Sequence, residues 1–278
     1  MGYAVVDVET TGFAAGRADR VVEVAVVELD AAGRRTGEWC TLLNPGRDLG
    51  PRHVHRISAA DVWDAPTFAG VAGALARRLA GRVLVAHNLA FDARFLAAEF
   101  ARLGVDVALD GLCTMLLAPR FLPGAGRSLR ACCAAAGIDL ADAHSALHDA
   151  RATGQLLAHY LRHGPLTGPL VPWPRVAGDD VPEVRRGHAV VAAERPDVAL
   201  RPGDVVVFTG QMAEPRDVWE SRAHAAGLVS QGWVTRSTRV LVAADPFTLS
   251  GKARRARAYR VPIVSEEDFH DLVGALQR

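Results

Sequence analysis

The chain has 278 residues, of which 50% are hydrophobic and 23% charged, and its formal net charge is +1. This length predicts two domains, each with enough apolar residues for its own core. The balanced charge excludes a uniformly basic nucleic-acid-binding protein. No apolar run approaches the roughly 20 residues that a membrane-spanning helix requires. Because the first strand begins almost at the N-terminus, no signal peptide is expected either, and we expect a cytoplasmic protein without a membrane partner.

The first apolar segment contains two acidic residues. The β-branched residues of the 3–9 segment predict a buried strand, on which Asp7 and Glu9 lie two positions apart. Side chains at this spacing point to the same face of a strand. A buried carboxylate is costly unless it is paired or bound to a metal ion. A lone Asp-x-Glu on a strand is usually structural, so this pair needs support from elsewhere in the chain.

A third acid follows the next predicted strand. The apolar 83–86 segment predicts a buried strand, and a helix is predicted for 91–103. His87 and Asn88 lie between the two, and Asp92 lies at the start of the helix. Open α/β sheets place their sites at such strand ends. Helix capping is the plainer interpretation of the His-Asn pair.

The last acid is preceded by a histidine. A helix is predicted for 145–161, with His144 in the loop that enters it and Asp149 one turn inside. Alone, this spacing carries little information. Together with Asp7, Glu9 and Asp92, however, it completes four carboxylates and one histidine. Oxygen ligands of this kind suit a pair of Mg²⁺ or Mn²⁺ ions, which leaves His144 to take a proton from an attacking water.

These blocks resemble the DEDD exonuclease superfamily, in its histidine subclass, and especially the proofreading subunits of bacterial DNA polymerase III. The matching segments are Asp7-Val8-Glu9-Thr10-Thr11-Gly12, His87-Asn88, Phe91-Asp92, and His144 with Asp149. The His55-Arg56-Ile57-Ser58 segment, between the first and second of these blocks, also resembles the family, although Arg56 stands where the family usually has glycine. The tyrosine subclass would need a tyrosine at position 145, where this chain has Ser145.

The resemblance implies a ribonuclease H-like α/β exonuclease domain. In such a domain Asp7, Glu9, Asp92 and Asp149 would bind two divalent cations, and His144 would be the general base. The residues that would receive or support the terminal nucleotide are Thr10, Thr11, Gly12 and Asn88. The implied reaction removes nucleoside monophosphates from a free 3′ end, with DNA favoured over RNA as the partner.

Proline marks the expected end of this domain. Seven of the fifteen prolines fall between His163 and Gly203. Such a segment resists helix formation and favours an extended spacer. We therefore predict an exonuclease domain over 1–163, a Pro-rich linker over 164–202 and a second domain over 203–278.

Strands and helices alternate in the second domain. The order predicts a small α/β domain with a parallel sheet. Its expected elements are strands at 204–208, 227–234, 239–243 and 263–264, and helices at 216–226, from Gly251 onward, and at 266–277.

This segment resembles a BRCT domain, through Val-Val-Phe-Thr-Gly at 206–210 and Gly251-Lys252-Ala253. In BRCT domains that bind phosphate, the equivalent positions form the pocket, and here they are Thr209, Gly210 and Lys252. A hydroxyl, a backbone N–H at a turn and a cation at a helix start suit a phosphate physically. Of the 32 basic residues only Lys252 is a lysine. The ligand would be a phosphorylated molecule or a DNA 5′ end.

Three functions remain open from the sequence. The first is a DNA-directed 3′→5′ exonuclease in repair or replication, with a BRCT module that binds phosphate, a DNA end or a partner. The second is an exoribonuclease, which uses the same five site residues. The third is an adaptor without catalytic activity. The presence of all four acids and of His144 argues against the third.

Overall fold

The computed structural model describes residues 1–16, 18–50, 52–140, 145–168, 170–173, 198–210 and 212–276. The chain divides into two compact units. The first has the bounds Met1–Pro45, His53–Arg56 and Ala65–Gly187, and the second has the bounds Gly46–Arg52, Ile57–Asp64 and His188–Arg278.

The first unit is built on a five-stranded mixed sheet in the order β3-β2-β1-β4-β5. Its strands are β1 (Tyr3–Thr10), β2 (Val21–Leu29), β3 (Arg35–Leu42), β4 (Val83–Ala86) and β5 (Gly111–Cys113). The first three strands pair antiparallel, whereas β4 runs parallel to both β1 and β5. The carboxyl ends of β1 and β4 therefore meet at the same edge of the sheet, where the predicted acids Asp7, Glu9 and Asp92 follow.

Helices cover both faces of this sheet. Those whose residues pack in its cores are α3 (Phe68–Leu79), α4 (Leu89–Ala101), α5 (Thr114–Phe121), α6 (Leu129–Ala136) and α7 (Ala146–His163). Two short helices precede them in the chain, α1 (Arg52–His55) and α2 (Ala59–Val62), and α2 belongs to the second unit. One core contains residues of α3 and α4 and the alternating side chains of β1 at Val6 and Val8. The opposite core contains Val5 and the inner face of α7. Alternate side chains of β1 therefore pack in the two cores, as expected for a strand that is covered on both faces.

Part of the predicted linker packs into the first unit. Trp173 is 2% exposed and lies in the core beside Phe100, with 5.8 Å between the ring centroids. Its backbone N–H donates to the Arg82 carbonyl at 2.8 Å, and Pro172 forms a β-bridge with Val83. Residues 174–197 of the predicted linker lie outside the described residues, whereas Val198 and Leu200 at its end are buried in the core of the second unit.

The second unit contains a four-stranded sheet in the order β7-β6-β8-β9, in which every pairing is parallel. This confirms the parallel sheet predicted from the alternation of strands and helices. Its elements are β6 (Val205–Thr209), α8 (Arg216–Ala225), β7 (Val229–Gln231), β8 (Thr238–Ala243), α9 (Gly251–Tyr259), β9 (Ile263–Val264) and α10 (Glu266–Leu276).

A hydrophobic core lies on each face of this second sheet. Phe208 and Val242 pack with Trp219 of α8 and Phe269 of α10 on one face. Val207 and Leu241 pack with Ala253 and Ala256 of α9 on the other face. Adjacent residues of β6 and β8 thus enter opposite cores, as the period of two in a strand requires.

Two short segments from the N-terminal half of the chain also belong to the second unit. Asp48 accepts a hydrogen bond from the Thr248 hydroxyl at 2.9 Å, and Asp245 accepts one from the backbone N–H of Ala59 at 2.9 Å. The Arg257 guanidinium lies 4.8 Å from the ring centroid of Trp63. The unit therefore includes more than the contiguous 203–278 segment. Within the described residues, no helix is long and apolar enough to cross a membrane.

Candidate functional site

Asp7 and Glu9 lie near the carboxyl end of β1. Both side chains are half-buried, as expected for polar residues at the edge of a covered sheet. Asp7 is paired with Ala25 of β2 and Glu9 with Glu23, and the register shifts between Glu9 and Thr10. A bulge of this kind re-aims the side chains that follow it and is common beside active sites.

Asp92 is joined to β1 directly. It is the fourth residue of α4 and is only 3% exposed. Its Oδ1 accepts a hydrogen bond from the backbone N–H of Val8 at 3.1 Å. Because Val8 lies between Asp7 and Glu9, this bond brings the third carboxylate to the first two.

Asp149 is the fourth residue of α7, as Asp92 is of α4. Its negative charge contributes to raising the pKa of both Asp7 and Glu9. Four predicted acids from three elements therefore interact electrostatically at one edge of the sheet. His144 lies outside the described residues, so its predicted role as general base stays a prediction.

Burial and repulsion between neighbouring acids raise the pKa values of Asp7, Glu9 and Asp92. Burial, followed by repulsion from Asp92, Asp149, Glu9 and Glu23, holds the pKa of Asp7 well above its usual range. Burial and the charges of Glu23 and Asp149 raise the pKa of Glu9 to about 7. Burial raises the pKa of Asp92 to about 8, against the lowering effect of backbone hydrogen bonds that include the one from Val8.

Sequence reasoning missed Glu23, a fifth acid in this cluster. It is 9% exposed, lies opposite Glu9, and accepts a hydrogen bond from the backbone N–H of Ala146 at 3.0 Å. Its other oxygen lies 3.2 Å from the Cys40 sulfur. Ala146 is the first residue of α7, so Glu23 anchors the helix that carries Asp149. An acid within the apolar Val21–Leu29 strand was the signal that could have revealed it.

Asp19, which the sequence analysis did not identify, accepts hydrogen bonds from the predicted nucleotide-binding loop. The Thr11 hydroxyl donates to Asp19 Oδ1 at 3.0 Å, and the Ala14 N–H donates to Oδ2 at 2.9 Å. The Thr10 hydroxyl donates to the Gly12 carbonyl at 2.8 Å. A Cβ at Gly12 would lie 2.5 Å from Asp19 Oδ2, so a larger residue there would displace the Asp19 carboxylate that holds this loop.

Asn88 and His87 have different local roles. Asn88 is in the left-handed backbone region with φ of 76°, and its side chain makes no capping hydrogen bond to α4. The capping interpretation of the His-Asn pair therefore fails for Asn88, whose amide is not used by its own helix. His87 instead bridges the Thr114 hydroxyl, 2.9 Å from Nδ1, and the Arg127 carbonyl, 2.8 Å from Nε2.

The donor set at this edge fits hard divalent cations, because it consists of carboxylates whose negative charges raise one another's pKa values. A bound cation would relieve that repulsion. Within the described part of the chain, no three His, Cys, Asp or Glu side chains are already arranged as a ligand group. The fit therefore rests on the chemistry and proximity of the acids.

The predicted phosphate pocket of the second unit has its residues close together. The Lys252 ammonium donates to the Phe208 carbonyl at 2.9 Å, directly before Thr209 in the chain. The Thr209 hydroxyl donates to Ser250 Oγ at 3.2 Å, and Ser250 caps α9 through the Ala253 N–H. Gly210 has a φ of 91°, the left-handed region that favours glycine.

Positive charge accumulates around this lysine. Burial and the neighbouring Arg216 guanidinium lower the pKa of Lys252, while Glu220 raises it. Arg216, at the start of α8, is a further cation beside the pocket that sequence reasoning did not identify.

The sequence model of the exonuclease family (RNase_T) matches residues 4–157, which is more than half of the chain. The chain belongs to this exonuclease family. The predicted enzyme class is thereby confirmed, and the first unit is an α/β, ribonuclease H-like 3′→5′ exonuclease domain.

Two curated relatives match the same region. The DNA polymerase III subunit epsilon-like protein of Rhodobacter capsulatus is 36% identical over 165 residues, covering 57% of this chain and 23% of that protein. The DNA polymerase III subunit epsilon of Escherichia coli K12 is 33% identical over 165 residues, covering 55% of this chain and 67% of that protein. The chain thus spans less than a third of the first relative's length.

A solved structure, Exonuclease X in complex with 5′ overhanging duplex DNA, has a TM-score of 0.50 and is 28% identical to this chain. The match covers 61% of this chain and 97% of that one. The similarity covers essentially the whole of that nuclease chain.

Proposed function

We propose that this protein is a metal-dependent 3′→5′ exonuclease of the histidine subclass that releases nucleoside monophosphates from DNA 3′ ends during repair or replication. The observation that carries the proposal is the cluster of Asp7, Glu9, Asp92 and Asp149 at one sheet edge, in which burial and neighbouring acids raise the pKa values of Asp7, Glu9 and Asp92. Such a cluster is electrostatically unfavourable without cations, which supports a role as ligands.

In this proposal the four acids hold two Mg²⁺ or Mn²⁺ ions. Bound there, the ions would supply an activated water and neutralise charge on the phosphodiester. His144 accepts the proton of the attacking water, since imidazole titrates near neutral pH. The loop of Thr10, Thr11 and Gly12, held in place by Asp19, accepts the terminal nucleotide.

Asn88 supports the same site. Its side chain makes no capping bond to α4, and it lies two residues after the end of β4, at the sheet edge where the acids lie. An amide there suits a hydrogen bond to the sugar or phosphate of the terminal nucleotide.

DNA is favoured over RNA by the relatives. The E. coli relative is named as a DNA polymerase subunit, and the Exonuclease X structure contains DNA. Cleavage of RNA by the same five residues is the second candidate function, and the substrate assay below distinguishes the two.

The assay uses matched single strands of DNA and RNA, labelled at either end, with Mg²⁺, Mn²⁺ or EDTA. We expect a 3′-labelled DNA strand to release its label as a mononucleotide at once, and a 5′-labelled strand to shorten progressively. EDTA should stop both. His144→Ala should slow cleavage by roughly a hundredfold or more, the usual contribution of a general base, whereas the exposed His270→Ala control should not.

Internal cleavage, or cleavage that persists in EDTA, would contradict the proposal. Shortening of RNA with DNA left intact would retain the mechanism and assign the second candidate function. No cleavage of either substrate would favour the adaptor hypothesis.

For the second unit we propose a BRCT module that binds phosphate at Thr209, Gly210 and Lys252. Support comes from the parallel sheet between α9 on one face and α8 and α10 on the other, and from the ammonium at the end of β6. Burial and, to a smaller extent, the nearby Arg216 lower the pKa of Lys252, and a bound anion would offset the repulsion between the two cations.

The pocket is tested with 5′-phosphorylated and 5′-hydroxyl oligonucleotides, both blocked at the 3′ end, and with a phosphoserine peptide. Lys252→Met should weaken binding of the phosphorylated probe by about tenfold, as expected for loss of one charge-assisted hydrogen bond. Lys252→Arg should retain part of the preference. Equal binding of phosphorylated and unphosphorylated probes by the wild type would contradict the proposed pocket.

A further inference from the structure

An exposed tryptophan lies in the loop between β7 and β8 of the second unit. Trp233 is 74% exposed, more than any other large hydrophobic side chain in the described part of this unit. Its neighbour Val234 is 1% exposed and packs in the core beneath α9. The backbone of this loop is therefore anchored while the indole projects into solvent.

Two arginines of the same unit lie against one tyrosine ring. The Arg236 guanidinium lies 5.7 Å from the ring centroid of Tyr259, and the Arg255 guanidinium lies 5.4 Å from it. Both arginines are exposed, whereas Tyr259 is half-buried against the core. Stacking on a ring restricts a guanidinium and leaves its N–H groups available to an oxygen acceptor.

Trp233 precedes Arg236 by three residues, so their Cα atoms are separated by at most about 11 Å. Arg236 shares the Tyr259 ring with Arg255, which links the loop of Trp233 to α9. Trp233, Arg236, Arg255 and Tyr259 are here named the Trp233–Arg255 surface.

The charge of this region determines its partner. Residues 229–262 contain seven basic residues and one acidic residue, Asp245. The remainder of the chain, with 25 basic and 30 acidic residues, is net negative. A concentrated positive region beside an exposed aromatic ring is complementary to a polyanion that also carries flat aromatic groups.

We propose that the Trp233–Arg255 surface binds single-stranded nucleic acid. Trp233 stacks on an unpaired base, which tolerates any sequence because every base has a π-face. Arg236 and Arg255, oriented by Tyr259, contact the flanking phosphates. The surface is separate from the pocket at Lys252, since it requires neither a terminal phosphate nor a 3′ end, and the proposal does not rest on the nuclease activity.

The test measures binding of the full-length protein to a short closed circle of single-stranded DNA, in EDTA. A circle has no 3′ end for the nuclease site and no terminal phosphate for the pocket. Trp233→Ala should weaken binding by about tenfold or more, within the range measured for base–aromatic stacking. Trp233→Phe should retain most of the affinity, and an RNA circle should bind by the same residues.

The two arginines have a separate signature in salt dependence. The slope of log affinity against log salt should fall by about 0.7 for each of Arg236→Gln and Arg255→Gln, the expected value for one lost phosphate contact on a single strand. Arg162→Gln, an exposed arginine of α7, is the matched control and should leave the slope unchanged. Equal thermal unfolding of all variants excludes loss of folding as the cause.

Several results would overturn the proposal. These are no binding of the circle by the wild type, affinity unaffected by Trp233→Ala, or salt slopes unaffected by either arginine substitution. A closed duplex circle that competes as well as the single strand would also overturn it, because paired bases are not available for stacking.

Discussion

Each unit contains a local group of like charges, negative in the first unit and positive in the second, and these charges contribute to the pKa shifts of the groups beside them. In the first unit, burial and neighbouring acids raise the pKa of Glu9 to about 7 and that of Asp92 to about 8. In the second unit, burial and Arg216 lower the pKa of Lys252. In both units, therefore, the charged form of the group is disfavoured by its surroundings.

A buried cluster of like charges is unfavourable by itself. Under the proposed function, cations would offset the repulsion among the acids of the first unit, and an anion would offset that between Lys252 and Arg216 in the second. Substitutions that remove one charged or anchoring group at a time test this difference between the two units.

The largest effect is expected at Asp149. Asp149→Asn removes one negative charge from the acid cluster and should lower the rate of 3′→5′ cleavage by more than about a hundredfold, since even outer partners of metal ligands cost up to that factor. Steady-state cleavage of single-stranded DNA at saturating Mn²⁺ measures the loss. The control is Asp106→Asn, at an exposed acid elsewhere in the first unit, which should leave the rate unchanged. Near-normal cleavage by Asp149→Asn would contradict the proposed role of Asp149 as a metal ligand.

A smaller loss is expected at Glu23, which anchors α7 rather than completing the predicted ligand set. Glu23→Ala leaves the Ala146 N–H unpaired and should cost about 1–3 kcal/mol of unfolding free energy, with cleavage reduced by roughly 10–100-fold. Glu23→Gln keeps an acceptor for that N–H and should restore stability. Denaturant unfolding and cleavage rates of the two variants distinguish anchoring from charge, and equal stability of both variants would contradict an anchoring role.

The acid cluster also predicts the pH dependence of stability without metal. The ordinary pKa values of Glu9 and Asp92 are 4.5 and 3.8, and the folded values are about 7 and about 8. A carboxyl with a raised folded pKa contributes stability below its ordinary pKa, and that contribution is lost as pH rises through the folded value. In EDTA the Tm should therefore fall between about pH 4.5 and pH 8.

Added Mn²⁺ should reduce this fall, because cations offset the repulsion between the ionised acids. Glu9→Gln should flatten the profile in EDTA, since one titrating group is removed. A Tm that rises across the same range in EDTA would contradict the raised pKa values.

The smallest effect is expected at Arg56, where the substitution tests backbone strain rather than a charge of the acid cluster. Arg56 has a φ of 58°, a left-handed conformation that is strained for any residue with a Cβ. Arg56→Gly should therefore stabilise the protein by up to about 1 kcal/mol, measured by denaturant unfolding. Arg260→Gly, at the equivalent φ of 57° after α9, is the matched comparison in the second unit. A destabilised Arg56→Gly would show that the side chain contributes more than the strain costs.

Local patterns predicted much of this molecule. The acids Asp7 and Glu9 stand out because they interrupt an apolar strand, and α10 was evident from the spacing of Phe269, Leu272, Val273 and Leu276, which pack as expected. The glycine expected at Arg56 from the family resemblance is explained by the positive φ there.

The remaining features depend on partners distant in sequence. Glu23 is 123 residues from Ala146, and Asp48 is 200 residues from Thr248. No local period or composition identifies such pairs. Trp173 likewise sits among prolines typical of a linker, yet its ring fills the core beside Phe100.

Titration of Mn²⁺ into the EDTA-treated, dialysed full-length protein, followed by calorimetry at neutral pH, tests the central claim most directly. The account predicts two bound ions per chain and release of protons from acids with raised pKa values. Asp149→Asn should lose at least one of the two ions, while Asp106→Asn should bind as the wild type does. No binding, or identical binding by wild type and Asp149→Asn, would contradict the assignment of these carboxylates as metal ligands.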